Sequence, residues 1–308
     1  MTDLYPSRGA SAPCILPRFD PVVHSSWHEG APLTREQTSQ FDRDGYLVLE
    51  NLFTPTEVEA LQNAATRILA DPSSLDDETV ISEPGANEIR SVFMIHRQNR
   101  IMERLATDER LAGVARFLLG DDVYIHQSRL NYKPGFVGKE FYWHSDFETW
   151  HVEDGMPQMR ALSMSILLAP NTVTNGPLMI IPGSHRKYCA CAGETPENHY
   201  LVSLKRQEYG VPDTDTLAEL ATERGIAAPV GDAGTVVIFD CNAMHGSNGN
   251  ITPFPRANAF IVYNAVTNRL VSPYGPEHPR PEFIAARNHT SVIRRPELTL
   301  LEVASSVV

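Results

Sequence analysis

The spacing of hydrophobic positions divides the chain near residue 122. Before that point, apolar residues recur at helical intervals, as at Val58, Leu61, Ala65 and Ile68, which share one face of a helix with 3.6 residues per turn. After it, short runs of β-branched and aromatic residues alternate with Gly, Pro and Asn, a pattern typical of strands joined by turns. The pattern therefore predicts helices first and a β-rich core second.

The ends of the first two predicted helices carry capping signals. Thr34 and Gln37 have capping-box spacing, and Thr54, Pro55 and Glu57 supply a hydroxyl cap, a first-turn proline and a carboxylate three residues after the cap. A third amphipathic helix is predicted over 102–120. Strands are predicted over 46–52, 123–126, 129–133, 161–168, 178–181, 235–239 and 259–266.

Many short strands with turn residues between them favour a β-sandwich or barrel. A doubly wound nucleotide-binding fold is disfavoured, because no G-x-G-x-x-G follows a strand. We predict one domain spanning 1–308, with an irregular N-terminal arm over 1–33 and a helical support over 34–120. The β core is predicted over 121–295, with an insertion over 190–230 that is helical near 216–222.

Composition narrows the classes of function. With 42% hydrophobic and 21% charged residues, the chain is expected to fold into a globular protein. It lacks the run of about 18 apolar residues that a membrane span needs, and its net charge of −12 argues against a nucleic-acid partner. No basic segment followed by an apolar segment opens the chain, so we expect a cytoplasmic protein. Its cysteines are then expected to be ordinary thiols, and Cys189 and Cys191 alone are a weak metal signal.

One histidine–carboxylate pair is a candidate metal site. His144 and Asp146 follow an aromatic run, and on an extended backbone residues i and i+2 point to the same side. His245 follows the strand predicted at 235–239 and can supply a third ligand. Two histidines and one carboxylate form the facial triad of non-haem Fe(II) oxygenases. H-x-D pairs are common on surfaces, but the later histidine favours the metal site.

Several residues near these ligands are candidates for further roles. Arg256 could pair with the far carboxylate of a dicarboxylic cosubstrate, or form a surface salt bridge, and Ser247 could add a hydroxyl. His151 is expected to make a structural hydrogen bond, and His185 is expected to lie in a loop. The direction of Glu148 depends on where the preceding strand ends.

The segment FYWHSDFETWHVEDGMPQMRALS at 141–163 closely resembles the signature stretch of the ectoine hydroxylase family. This family belongs to the phytanoyl-CoA dioxygenase-like branch of the Fe(II)/2-oxoglutarate oxygenases. NGPLMIIPGSH at 175–185 and DCNAMHGS at 240–247 resemble the wider branch. The resemblance runs from about residue 30 to about residue 295, and no position expected to bind metal or cosubstrate departs from it.

The resemblance implies a double-stranded β-helix (a cupin-like jelly roll) flanked by N-terminal helices. The implied activity is hydroxylation of ectoine at C5 to 5-hydroxyectoine, coupled to oxidative decarboxylation of 2-oxoglutarate to succinate and CO₂ with O₂. Such a reaction belongs to compatible-solute biosynthesis under osmotic stress, and the family resemblance suggests a homodimer.

The resemblance also implies roles for individual residues. The Fe(II) ligands would be His144, Asp146 and His245. The residues around 2-oxoglutarate would be Asn131, Lys133, Phe141, Ser247 and Arg256. The substrate pocket would be lined by Gln127, Thr149, Trp150, Ser165, Phe239, Asn258, Phe260 and Arg280.

These residue types suit ectoine, a small cyclic zwitterion. Arg280 can hold its carboxylate, Trp150 and the phenylalanine rings can face its amidinium, and Gln127 can accept from its ring N–H groups. Two alternatives stay open. One is a related hydroxylase of another small substrate, such as a proline-like imino acid or an acyl thioester, although Trp150 with Arg280 favours a compact zwitterion. The other is a jelly-roll protein that binds a solute or metal without turnover.

Overall fold

The computed structural model describes residues 3–9, 12–86, 88–204 and 208–306. Its strands are β1 (Cys14–Pro17), β2 (Tyr46–Leu49), β3 (Val80–Ser82), β4 (Ile89–Phe93), β5 (Val123–Lys133), β6 (Phe141–His144), β7 (Ala161–Leu167), β8 (Leu178–Ile180), β9 (Lys187–Ala190), β10 (Val236–Asp240), β11 (His245–Ser247) and β12 (Arg256–Ala265). Its α-helices are α1 (Arg35–Asp44), α2 (Pro55–Ala70), α3 (Ile95–Gln98), α4 (Arg100–Ala106), α5 (Glu109–Leu119), α6 (Asp146–Asp154), α7 (Tyr200–Ser203), α8 (Thr214–Arg224) and α9 (Leu300–Ser305).

Antiparallel sheets form the core. The larger sheet has the strand order β2-β10-β7-β12-β5-β4-β3, and a smaller sheet has the order β6-β11-β8. Side chains from both sheets line the same pocket, which places the candidate site between them. The predicted mainly β jelly roll with N-terminal helices is therefore confirmed.

The N-terminal helices pack on the face of the larger sheet that points away from the candidate site. Leu61 of α2, Leu105 of α4 and Leu118 of α5 share one buried cluster with Leu130 of β5 and Ile261 of β12. This apolar layer fixes the sheet from behind. Within the described ranges, every helix falls short of the length and apolar character that crossing a membrane requires.

Both predicted capping boxes are present. The Thr34 hydroxyl accepts a hydrogen bond from the backbone N–H of Gln37, and the Thr54 hydroxyl accepts one from the backbone N–H of Glu57. The helix predicted over 102–120 is instead two helices, because the Asp108 side chain accepts from the backbone amide of Arg110 and starts α5 after a break.

Several predicted segments have more structure than the sequence suggested. The arm over 1–33 is not irregular throughout, since β1 pairs with β9, and the segment over 34–120 contributes β2, β3 and β4 to the larger sheet. The strands predicted over 123–126 and 129–133 are one continuous strand, β5. The helix predicted near 216–222 is α8, and the four cysteines are free thiols.

Candidate active site

Three side chains from two strands and one helix converge at the edge of the smaller sheet. His144 ends β6, and His245 begins β11 directly opposite it. The Oδ1 atom of Asp146 lies 3.8 Å from Nε2 of His144 and 3.9 Å from Nε2 of His245. One ligand atom from each residue lies within 4.8 Å of the other two. The three residues predicted as metal ligands are therefore brought together.

The local geometry of this triad differs from the prediction. The strand ends at His144, and Asp146 is the first residue of α6, capped by Ser145. The shared face of an extended segment is therefore the wrong explanation for the pairing. The chain turns at Ser145, whose hydroxyl also donates to Asn242 Oδ1 at 3.0 Å, and this strand-to-helix turn directs the carboxylate toward both imidazoles.

Both histidines present Nε2 to the shared space. Nδ1 of His144 lies 2.7 Å from the backbone oxygen of Tyr142, and Nδ1 of His245 lies 3.0 Å from that of Ala243. Each Nδ1–H can donate to its carbonyl, which leaves the Nε2 lone pair free for a metal ion. Burial, together with the neighbouring His245 ring, lowers the pKa of His144 to about 4, so this ring is neutral near pH 7.

A cationic pocket lies on one side of the triad. It is lined by Arg129, Asn131, Phe141, His144, Leu178, His245, Gly246, Ser247, Arg256 and Phe260. Four of the five residues predicted around 2-oxoglutarate line it, and the fifth, Lys133, donates to the Ser247 hydroxyl at 2.9 Å. All five predicted cosubstrate residues therefore meet around one pocket.

The cations of this pocket have few anionic partners. Arg256 donates to the backbone oxygen of Gly176 and to Asn131 Oδ1, both at 2.6 Å, and within the described part of the chain its buried Nε has no hydrogen-bond partner. Burial, reinforced by Arg129, lowers the pKa of Arg256 to about 9. Burial, reinforced by Arg256, also lowers the pKa of Lys133 to about 6. The pocket is thus prepared for an anion.

A second pocket lies on the other side of the triad. Its lining is Ser91, Phe93, Gln127, Arg129, Phe141, His144, Asp146, Thr149, Trp150, Ser203, Leu204, Arg280 and Ile284. Of the residues predicted for the substrate, Gln127, Thr149, Trp150 and Arg280 are here. Arg129, Phe141 and His144 are common to both pockets, so the triad lies where the two pockets meet.

The other predicted substrate residues lie outside this second pocket. Phe260 lines the cationic pocket, and Phe239 packs against His245 with ring centroids 4.9 Å apart. Asn258 donates to the Ser165 hydroxyl at 3.1 Å. Asn258 and Ser165 are absent from the described linings of the cationic pocket and of the second pocket. The structure therefore divides the predicted substrate set into a pocket wall and the sheet beneath the triad.

Trp150 belongs both to the pocket wall and to the packed interior. It is buried in a cluster with Phe147 and Tyr5, and its ring meets His126 edge to face at a centroid distance of 5.0 Å. His126 is the extra residue of a β-bulge, because Val262 pairs with Gln127 and the next residue of β12 pairs with Ile125. Burial lowers the pKa of His126 to about 3, so an uncharged ring supports Trp150.

Sequence reasoning missed Arg129. It lines both pockets, and its guanidinium lies 5.0 Å from the Phe260 ring centroid. Its buried Nε has no hydrogen-bond partner among the described residues. The signal was available, since positions 127, 129, 131 and 133 share one face of a strand. Splitting β5 into two predicted strands hid that continuity.

His151, His185 and Glu148 make structural contacts outside the triad. His151 contacts the Met156 backbone oxygen at 2.7 Å and Asp3 Oδ1 at 2.9 Å, which confirms the structural hydrogen bond. His185 was expected in a loop but lies buried in a 3₁₀ helix at Ser184–Arg186. Glu148 points away from the triad and pairs with Arg8.

The chain is similar to characterised proteins over most of its length. Residues 41–258 match the family model described as phytanoyl-CoA dioxygenase (PhyH). The ectoine dioxygenase of Sphingopyxis alaskensis is 67% identical over 294 residues, which cover 96% of each chain. The range 41–258 spans all three residues of the triad.

Solved structures agree with this likeness. EctD from S. alaskensis with 2-oxoglutarate and 5-hydroxyectoine superposes with a TM-score of 0.90 and 61% identity, covering 97% of this chain and 100% of that chain. EctD from S. alaskensis with bound Fe gives a TM-score of 0.88 at the same identity and coverage. The similarity therefore extends to the whole arrangement of sheets and helices around the candidate site.

Proposed function

The chain belongs to the phytanoyl-CoA dioxygenase (PhyH) family, and we propose that it hydroxylates ectoine at C5 to give 5-hydroxyectoine. The reaction consumes 2-oxoglutarate and O₂ and releases succinate and CO₂. The observation that carries this proposal is a two-histidine, one-carboxylate triad placed between a cationic pocket and an aromatic one. The near full-length likeness to ectoine dioxygenases specifies the substrate.

His144, Asp146 and His245 would hold Fe(II). The residues fit the ion, because two imidazole nitrogens and one carboxylate oxygen converge, and this donor set leaves coordination positions open. Bound iron would supply the redox chemistry by which O₂ oxidises 2-oxoglutarate and the substrate. The chain's own part is to hold the ligand atoms, which it does through the carbonyl contacts on both Nδ1 atoms.

The cationic pocket would take 2-oxoglutarate. Arg256 offers a planar guanidinium that can pair with a carboxylate through two hydrogen bonds, and its unpartnered Nε is available for one of them. Lys133 and Ser247, already linked to each other, would add a second cation and a hydroxyl. The pocket is buried, so the attraction between these groups and a dicarboxylate is weakly screened.

The aromatic pocket would take ectoine. Trp150 offers a ring face for the amidinium, and Gln127 already donates to the Ile284 backbone oxygen at 2.7 Å, which leaves its amide oxygen for a ring N–H. Two arginines could meet the carboxylate. Arg280 is paired with Asp154, whereas Arg129 has no carboxylate partner among the described side chains within salt-bridge distance.

The direct test is turnover by the purified protein with Fe(II), 2-oxoglutarate, O₂ and ectoine. We expect 5-hydroxyectoine and succinate in equal amounts, and no 5-hydroxyectoine when 2-oxoglutarate is left out. Succinate release with proline in place of ectoine would favour the imino-acid alternative. Ectoine binding with no succinate from any substrate would identify a non-catalytic solute-binding protein and overturn the proposal.

We also infer that the protein acts as a homodimer in the cytoplasm, as one domain spanning 1–308, without nucleic-acid or membrane partners. The family likeness supports the dimer, and four free thiols suit a reducing compartment. Light scattering after size-exclusion chromatography tests the dimer, and fractionation of cells tests the location.

A further inference from the structure

Arg8, in the N-terminal arm, makes an unusually complete set of contacts with α6. Its Nε and Nη2 donate to the two oxygens of Glu148 at 2.9 and 2.7 Å, and its Nη1 donates to Glu153 Oε1 at 2.6 Å. Further contacts reach the hydroxyls of Thr195 at 2.8 Å and Thr149 at 3.4 Å. A guanidinium has five N–H donors, so this side chain joins the arm, α6 and the segment after β9 at a single point.

The Arg8 contacts are sealed from water. The Arg8 and Glu148 side chains are each 1% exposed. A Cβ atom placed on Gly210 would lie 2.4 Å from both Arg8 Nη2 and Glu148 Oε2, and Gly210 adopts a φ of +69°. Only glycine fits a backbone that passes so close in this conformation. The segment around Gly210 therefore closes over the ion pair.

A series of charged contacts connects Arg8 to Arg280, which lines the aromatic pocket. Glu153, held by Arg8, has its other oxygen 3.8 Å from Arg280 Nε. Arg280 in turn donates to Asp154 from Nε at 2.9 Å and from Nη2 at 2.5 Å. We call Arg8, Glu148, Glu153, Asp154 and Arg280 the Arg8 cluster. It holds two cations and three carboxylates, so removal of Arg8 would leave Arg280 as the remaining cation of the cluster.

Residues of the Arg8 cluster lie before and after the part of α6 that lines the aromatic pocket. Glu148 and Glu153 lie on either side of Trp150 along the helix, and Thr149 and Trp150 line the pocket together with Arg280. Arg8 itself is absent from the described residues that line either pocket. Any effect of Arg8 on a ligand must therefore pass through the helix and through Arg280.

We propose that Arg8 is a positioning residue for ectoine, which holds Trp150 and Arg280 in place through Glu148 and Glu153. This inference rests on the proposed function, because it concerns the affinity for that substrate. Without Arg8, the two buried carboxylates of Glu148 and Glu153 lose their main counter-charge, and they repel each other and Asp154. The helix would then shift, and a displacement of about 1 Å at a pocket wall can lower kcat/KM by about 100-fold.

The test compares steady-state kinetics of the full-length protein and three variants of the Arg8 cluster. Arg8→Met removes the charge but keeps an unbranched side chain, and Arg8→Lys keeps the charge but lacks the planar guanidinium. Glu153→Gln removes the ionic contact with Arg280, while its amide oxygen can still accept a hydrogen bond from Arg8. Arg18→Met is the matched control. Arg18 is another buried arginine of the arm, but its carboxylate partner at 2.8 Å is Asp240, which lies outside α6.

We expect Arg8→Met to raise the KM for ectoine by about 10- to 100-fold, while the KM for 2-oxoglutarate changes by less than about twofold. Arg8→Lys should restore part of the loss. Glu153→Gln should raise the KM for ectoine as well, and the double variant Arg8→Lys/Glu153→Gln should be less affected than the two single effects multiplied, because both act on one network. Arg18→Met should lower the melting temperature and leave the KM for ectoine unchanged.

Several outcomes overturn the inference. One is an Arg8→Met or Glu153→Gln variant that keeps the wild-type KM for ectoine. Another is an equal loss for ectoine and 2-oxoglutarate, or the same loss in Arg18→Met, either of which indicates a general effect of arm docking. If Arg8→Met does not fold, Glu153→Gln decides alone. A wild-type protein that does not turn over ectoine defeats the proposed function and this inference together, whereas an active wild type with unaffected variants defeats this inference only.

Discussion

His144 and His245 are direct partners across an antiparallel strand pair, with ring centroids 4.3 Å apart. The β6–β11 register therefore sets the distance between two candidate ligands that lie far apart in the chain. Asp146 comes from outside this pairing, on the first turn of α6. Two independent local structures, a strand register and a helix start, have to agree for the three ligand atoms to meet.

Replacing any one of the three candidate ligands should abolish hydroxylation. His144→Ala, Asp146→Ala and His245→Ala each remove one of three protein ligands, and the two that remain should not retain Fe(II) under assay conditions. Iron content and 5-hydroxyectoine formation measure the loss. His151→Gln is the matched control, since His151 also lies on α6 but hydrogen-bonds to the Met156 backbone oxygen and to Asp3. A folded triad variant with normal iron content and substantial turnover would contradict the assignment.

The sequence predicted the triad residues but not the geometry that joins them. His144 and Asp146 were expected to share a strand face, yet the capping hydroxyl of Ser145 starts a helix between them. A run of nine residues with weak amphipathic character gave no helical period to detect, because nearly all of α6 is buried. The helical periodicity of residues 58–68 identified α2, since that helix has a solvent side.

Charged contacts between residues far apart in the chain could not be predicted from the sequence, for a different reason. Arg8 and Glu148 are far apart in the chain, and nothing in the local pattern around Arg8 indicates a buried partner. The arm was expected to be irregular, whereas β1 pairs with β9, and Arg8 before β1 bonds to Glu148 of α6. Arg129 was missed although it lies between Gln127 and Asn131 on β5, because the sequence pattern predicted two short strands where the structure has one continuous strand.

Arg256→Met should weaken 2-oxoglutarate binding much more than ectoine binding. The change removes a buried guanidinium at the cationic pocket, and hydrogen bonds to charged groups contribute about 1.5–3 kcal/mol, or about 10- to 150-fold in affinity. Titration calorimetry with each ligand measures both constants. Arg186→Met is the control, because Arg186 forms an exposed pair with Asp42. Unchanged 2-oxoglutarate affinity would remove Arg256 from the cosubstrate site.

Binding of 2-oxoglutarate should be coupled to proton uptake by Lys133. Burial, with Arg256 nearby, lowers the pKa of Lys133 to about 6, so the amine is mostly neutral at pH 7.5 in the free protein. A bound dianion favours the ammonium form and raises this pKa. Affinity should therefore be highest at or below pH 6 and fall by up to about tenfold per pH unit above it, until the pKa of the complex is passed.

Calorimetry at pH 7.5 in two buffers of different ionisation enthalpy measures this uptake. We expect close to one proton per 2-oxoglutarate bound in the wild type and almost none in Lys133→Met. Equal proton uptake in both proteins would assign the proton to another group and contradict the role of Lys133.

Arg129→Met and Arg280→Met should identify which arginine meets the substrate carboxylate. Arg129 lines both pockets, and its buried Nε has no hydrogen-bond partner in the ranges that the structure describes, whereas Arg280 is already paired with Asp154. We expect Arg129→Met to raise the ectoine Kd more strongly, by about 10-fold or more. Arg280→Met should raise the ectoine Kd less and lower the melting temperature more, because it leaves Asp154 buried without its cation. The reverse order in the ectoine Kd would return the carboxylate to Arg280.

Trp150→Phe and Trp150→Ala should separate ring contact with ectoine from packing of the interior. Phe keeps a weaker π-face, so the KM for ectoine should increase in the order Trp, Phe, Ala, with cation–π contact contributing about 0.5–2 kcal/mol. Trp150 also packs against Phe147 and supports the edge contact with His126, so the Ala variant should lose about 3–5 kcal/mol of stability as well.

Trp150→Phe is therefore the decisive variant, because it keeps most of the packing. Its KM for ectoine and its melting temperature should be measured beside those of Trp27→Phe, a partly buried tryptophan whose Nε1 donates to Leu33 far from the pockets. A clear rise in the KM for ectoine in Trp150→Phe alone, with the KM for 2-oxoglutarate unchanged, supports the pocket assignment. A drop in melting temperature with an unchanged KM for ectoine would show that Trp150 serves packing only and that ectoine lies elsewhere.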